Sequence, residues 1–129
     1  MKVLYFALTA LMFIPSTFAQ NAENDAIPFK TVEEALKALE SDAGAELTEY
    51  EGWKIFKQKN KGRYVLWSFT PPEHPAHPTV VRRTMAKING QLNIDMDVLC
   101  YSTQIFCDSL MEDFKQINEA IKQRESSGS

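Results

Sequence analysis

An Asn89-Gly90 pair stands between two runs of alternating apolar and polar residues, Thr79 to Ile88 and Gln91 to Cys100. Few local features restrict a chain more. Asn and Gly both accept the positive φ that a two-residue turn needs if its flanking strands are to twist together, so the pair predicts a β-hairpin. It also predicts the register. With Ile88 opposite Gln91, Ala86 faces Asn93, Thr84 faces Asp95 and Arg82 faces Asp97, while Met85 meets Ile94 and Val81 meets Val98 on the other side. Leu92, Ile94, Met96 and Val98 alternate with Asn93, Asp95 and Asp97, which predicts one buried and one solvated face.

The residues before this hairpin extend the sheet. Arg63 to Thr70 reads as a central strand, apolar on both faces for part of its length, with Arg63, Val65, Trp67 and Phe69 on one side. It runs into Pro71-Pro72-Glu73-His74-Pro75-Ala76-His77-Pro78, four prolines and two histidines in eight residues, where no regular element survives. Lys59-Asn60-Lys61-Gly62 is a polar turn joining Arg63 to Thr70 with an earlier strand, Trp53 to Gln58. Glu46 to Tyr50 is a further short strand, set off by Glu51-Gly52.

Helices are expected at both ends. Thr31 with Glu34 makes a capping box, and Val32, Ala35, Leu36 and Leu39 follow at helical spacing. Ser41 to Gly44 closes this helix, with Gly44 suited to a left-handed terminal position. Near the C-terminus, Cys107, Leu110, Phe114, Ile117 and Ile121 form one apolar stripe, with Asp108 or Ser102 as N-cap. The fold class is α+β: a two-layer domain of an N-terminal helix, a four- to five-stranded antiparallel meander and a C-terminal helix, with both helices on one side.

Residues 1–19 are expected to leave the mature protein. Lys2, the uncharged run Val3 to Ile14, Pro15 and the small residues Thr17 and Ala19 follow the plan of a secretory signal peptide, and the run is too short to span a bilayer. Residues 20–27 are expected to be a flexible arm, residues 28–122 a single domain and residues 123–129 a disordered polar tail. The whole chain carries a formal charge of −3. Such a balance does not invite nucleic acid or an anionic membrane, no later segment is long and apolar enough for stable membrane insertion after cleavage, and the leader places the protein in the periplasm or outside the cell. In such a compartment Cys100 and Cys107 are expected to form a structural disulfide, since C-x6-C is not the redox spacing. Closing so short a loop stabilises by about 2–3 kcal/mol on the chain-entropy model.

Three groups of residues offer chemistry. His74 and His77, with Glu73 beside them, could ligate a transition metal, but the prolines keep the two imidazoles off a common helical face and no third strong ligand is close in sequence. Arg83 is a cation on the apolar face of the hairpin, able to meet an anion or to reach past the sheet's end into water. Asp95 and Asp97 share the solvated face, balanced by Arg82. No serine stands in a nucleophile elbow and no glycine loop cradles a phosphate, so no enzymatic activity, cofactor or metal is assigned.

Trp67-Ser68-Phe69-Thr70-Pro71, His74-Pro75-Ala76, Pro78 and the pair Cys100 and Cys107-Asp108 resemble a group of small exported bacterial proteins of uncharacterised function, which share a W-S-F-T-P-x-x-H-P-A-x-P segment and a C-x6-C-D pair. The likeness covers roughly Trp53 to Ile121. It implies a shared fold and no transferable activity. The expected function is a non-enzymatic binding or interaction module of the cell envelope, with a protein partner and the 71–78 loop as contact surface through Glu73, His74 and His77, and Arg83 as a further binding candidate. The alternative is a periplasmic metal-binding accessory protein using His74 and His77.

Overall fold

The computed structural model describes residues 26–128. The expected signal peptide and residues 20–25 of the expected arm lie outside the described residues. Helix α1 spans Val32–Glu40, followed by strands β1 (Glu46–Tyr50), β2 (Trp53–Asn60), β3 (Arg63–Phe69), β4 (Thr79–Ile88) and β5 (Gln91–Cys100), then helix α2 (Gln104–Ser127). The strands form one five-stranded antiparallel sheet in the order β1-β2-β3-β4-β5. The α+β class and the antiparallel meander of the sequence reading are both present.

The Asn-Gly turn sets the β4–β5 ladder as its chemistry predicts. Ile88 pairs with Gln91, Arg82 with Asp97 and Val81 with Val98, and Asn89 and Gly90 both hold positive φ. At α1, Thr31 Oγ1 accepts a hydrogen bond from the Glu34 amide at 3.1 Å, and the Glu34 carboxylate accepts from the Lys30 amide at 3.1 Å. The cap is therefore reciprocal but reaches one residue further back than a capping box does. Gly44 does not adopt the left-handed conformation expected of it; its N–H donates to Asp42 Oδ1 at 2.8 Å.

The arrangement of the layers differs from the reading. α1 and α2 cover opposite faces of the sheet, not one face. Val32, Ala35 and Leu39 of α1 pack with Phe56, Trp67, Phe69 and Val80. Leu110 and Phe114 of α2 pack with Ala76 and Val81, flanked by Trp53, Met96 and Val98. Val80 and Val81 are neighbours in β4, both fully buried, and side chains alternate along a strand. A sheet apolar on both faces must be covered on both. Near its turn the hairpin keeps the expected solvated face, with Asn93 and Asp95 exposed, but further along that face is covered: Arg82 lies over the Trp67 ring at 5.5 Å and bonds Asp97 at 2.9 Å, with only 14% of its side chain exposed.

Two further boundaries move. Thr103 caps α2 in place of Asp108 or Ser102, through its hydroxyl and the Phe106 amide. The tail expected to be disordered is helical to Ser127, because Ser126 and Ser127 hydroxyls donate back to Gln123 O and Lys87 pairs with Glu125 at 3.7 Å. Ile27, assigned to the arm, packs against the α1-side core. Among the described residues no helix is long and apolar enough to cross a membrane.

Candidate functional site at the proline-loop end

One end of the sheet gathers the chain's unusual residues. The β3–β4 loop, the β1–β2 turn, the start of α1 and the start of α2 all meet there. The loop is closed at its base by a β3–β4 rung, in which Thr70 N–H donates to Thr79 O at 3.1 Å and Thr79 N–H to Thr70 Oγ1 at 3.0 Å. Within it, His74 N–H donates to Pro71 O at 3.0 Å and His77 N–H to His74 O at 2.9 Å. These are two consecutive turns, each compatible with the fixed φ of a neighbouring proline. Thr79 Oγ1 donates to Ala76 O at 2.5 Å, and Ala76 is fully buried. The His77–Pro78 peptide is cis. Gly52, at φ +84°, lets the β1–β2 turn pass close by, since a Cβ there would stand 2.9 Å from Pro71 Cβ.

The disulfide ties the other side of this end together. Cys100 and Cys107 are bonded, with Cα atoms 6.0 Å apart, inside the usual range for a bridge. It joins the last residue of β5 to the first turn of α2. The intervening segment is fixed to the loop by Tyr101 N–H to Pro78 O at 3.0 Å and Ser102 Oγ to Pro75 O at 3.0 Å. The Tyr101 hydroxyl donates to Lys30 O, so the segment preceding α1 is attached as well.

The two histidines take different places. His74 Nδ1 accepts the Ala76 N–H at 3.0 Å, and the ring lies edge-on to Trp53 at 5.4 Å. It holds the loop's shape. His77 is exposed, and its Nδ1 lies 2.9 Å from Thr70 Oγ1 and 3.2 Å from Thr70 O. Either tautomer leaves Nε2 as the unengaged nitrogen. That side of the loop borders a cleft of about 400 Å³ lined by Thr31, Val32, Leu36, His77, Pro78 and Tyr101, with Glu33 beside them. Its size falls within that of small-ligand pockets, roughly 300–1,000 Å³. Largely apolar walls with Thr31, Glu33, His77 and Tyr101 as polar groups suit a side chain or small molecule with an apolar body and a polar end.

Glu73 and Arg83 do not join this cleft. Glu73 is exposed over the Gly52 turn. Arg83 does not reach past the sheet into water; it is buried beneath α2, 7% exposed, with its guanidinium 5.0 Å from the Phe114 ring and Nη1 donating to Asn118 Oδ1 at 3.3 Å. Desolvation pulls its pKa below the ordinary arginine value. Among the described residues it has no acidic partner, and its Nε has no acceptor. Phe114 contacts Trp53, and Trp53 contacts His74, so one row of ring contacts runs from Arg83 to the loop. Among the described residues no group of three or more His, Cys, Asp or Glu could hold a metal ion.

Tyr101, Leu36 and Thr31 were not legible as site residues, because they come together only when β5, α1 and the loop meet. The one available signal was an aromatic directly after Cys100. Large apolar side chains stand in solvent at Tyr101, which lines the cleft, and at the start of α2: Tyr101 is 51% exposed, Ile105 78% and Phe106 44%. Comparison with known proteins finds no family model, no curated protein and no solved structure that matches this chain.

Proposed function

We propose that this chain is an exported, non-enzymatic binding module of the cell envelope, whose contact surface for a protein partner is the proline-loop end. The observation that carries the reading is the pairing of a loop already fixed by its own hydrogen bonds with the exposed side chains of Tyr101, Ile105 and Phe106. A pre-ordered loop loses little entropy on binding. Apolar and aromatic groups clustered at a surface are what partner-binding patches present. Export is supported by the disulfide, which persists in oxidising compartments, and by the leader-like residues 1–19.

The test replaces surface residues only. Partner recovery by cross-linking from native envelope is compared for the natural protein and for Ile105→Asp/Phe106→Asp. Recovery is expected to fall by about tenfold or more if these side chains are anchors, while circular dichroism stays unchanged. Equal recovery with an intact fold removes the proline-loop end as the contact surface.

A further inference from the structure

The modest net charge conceals a separation of charge along the sheet. The proline-loop end carries Glu33, Glu34, Glu51, Glu73 and Asp108, all exposed, against Lys30 and Lys37, the latter paired with Glu33 at 3.1 Å. At the opposite end the β2–β3 turn, the β4–β5 turn and the C-terminal part of α2 come together. A groove lined by Gly62, Tyr64, Lys87, Leu92, Ile121 and Glu125 joins the three. That end carries Lys59, Lys61, Arg63, Lys87, Lys122 and Arg124. Its acids are Glu125, 3.7 Å from Lys87, Glu119, 3.4 Å from Lys122, Glu46, cross-strand from Lys57, and Asp42, bonded to Gln58, so cations remain in excess there. Among the described residues Lys59, Lys61 and Arg63 have no ion-pair partner.

Two apolar groups stand among these cations. Ile88, at the tip of the β4–β5 hairpin, is 55% exposed, and Tyr64 is 45% exposed. The ammonium groups of Lys57 and Lys59 lie 5.5 and 5.9 Å from the centre of the same Tyr64 ring. Two like charges held beside one ring repel each other, and an anion placed between them would relieve that repulsion. Tyrosine is favoured at the level of lipid headgroups. A protruding isoleucine gains by entering the acyl boundary and gains nothing against a polyanion that is polar throughout.

We propose that this basic end is a docking surface for an anionic lipid bilayer, held by reversible contact with the turns end-on to the membrane. Lys59, Lys61 and Arg63 meet headgroup phosphates, Tyr64 lies at headgroup level and Ile88 enters the acyl boundary. The proline-loop end, at the other pole, then faces away from the membrane. The proposal does not depend on that end's having a partner.

The experiment is co-sedimentation of the purified exported protein with phosphatidylcholine vesicles, with and without about 30% phosphatidylglycerol. Binding is expected to be at least about tenfold stronger to the anionic vesicles, and to be lost as ionic strength rises from about 0.05 to 0.5 M. Lys59→Glu/Lys61→Glu/Arg63→Glu should abolish it, and Ile88→Ser should weaken it several-fold, each with an unchanged circular dichroism spectrum. The neutral variant Lys59→Gln/Lys61→Gln/Arg63→Gln gives the same reading should the charge reversal disturb the turn. Absent binding, equal binding to both vesicle types, or full binding by the neutral variant overturns the proposal. So does binding to a soluble sulfated polysaccharide as tight as to vesicles with no effect of Ile88→Ser, which would make the end a general polyanion site.

Discussion

The two faces of the sheet are built on different chemistry. Under α1 the buried set is Val32, Ala35, Leu39, Phe56, Trp67, Phe69 and Val80, and the mostly covered cation on that face, Arg82, is paired with Asp97 at 2.9 Å. The single indole N–H there is satisfied by Gln58 Oε1 at 2.8 Å. Under α2 the apolar set is smaller, Ala76, Val81, Leu110 and Phe114, and it shares its layer with Arg83, Asn118 and Ser68, all buried. Among the described residues Ser68 Oγ and Arg83 Nε have no hydrogen-bond partner. A buried cation without a counter-ion subtracts from stability. The longer helix thus rests on the less favourable floor, and a covalent bridge fastens its first turn. Helix length is a poor guide to how firmly a helix is held; what lies beneath it decides.

The largest effect should come from removing the bridge. Replacing Cys100 and Cys107 with Ala is expected to lower stability by about 2–5 kcal/mol in chemical unfolding. Hydrogen exchange should show the loss concentrated in α2, with α1 protected almost as before. Uniform loss across both helices would mean that the faces are not separable in this way.

Next comes the buried cation. Asn118→Ala removes the hydrogen-bond partner of Arg83 and should cost about 1–3 kcal/mol. Arg83→Met keeps the volume and removes the charge, and is expected to be neutral or stabilising by up to about 2 kcal/mol. A strongly destabilised Arg83→Met protein would show that the contacts of Arg83 with Phe114 and Asn118 outweigh its desolvation.

The smallest effect belongs to the α1 face. Asp42 Oδ2 accepts from Gln58 Nε2 at 2.6 Å, extending the chain from Trp67 to the end of α1. This bond, and then the Gly44 N–H, hold the Asp42 carboxyl below its ordinary pKa. A carboxylate with a depressed folded pKa contributes fully above its unfolded value, about 4, and loses that contribution as pH falls through the folded value. Asp42 is exposed, so the consequence is local. The Trp67 indole N–H resonance should shift on acidification below about pH 4 in the natural protein and stay flat in Asp42→Asn. An identical shift in both would assign the titration to another group.

Much of this was legible in the chain. The Asn89-Gly90 turn demands positive φ, so the β4–β5 register followed from local chemistry, and every expected pair is present. Thr31 announced the start of α1, since its hydroxyl is needed wherever the preceding chain turns. The bridge was expected from the leader-like residues 1–19 and the C-x6-C spacing, and it is present. The end of α2 was less visible, because Gln123 to Ser127 carry no apolar stripe and owe their helix to backbone, Ser126 and Ser127 hydroxyls and an ion pair with Lys87 of β4. His74 and His77 were visible as unusual residues, but their division into one that shapes the loop and one that borders a cleft was not.

What the sequence determined by itself was local: the Asn89-Gly90 turn, strand alternation, the start of α1 and a disulfide between Cys100 and Cys107. These depend on backbone sterics and on neighbours a few residues away. What the tertiary structure alone decided was which face each helix covers, and hence that Arg83 is buried, that Tyr101 meets His77 and Leu36 across a cleft, and that three distant segments share one basic end. An alternating strand states that its two faces differ, but not which helix will lie on either. That choice is made by the summed burial of both faces at once, a quantity that no local stretch of chain contains.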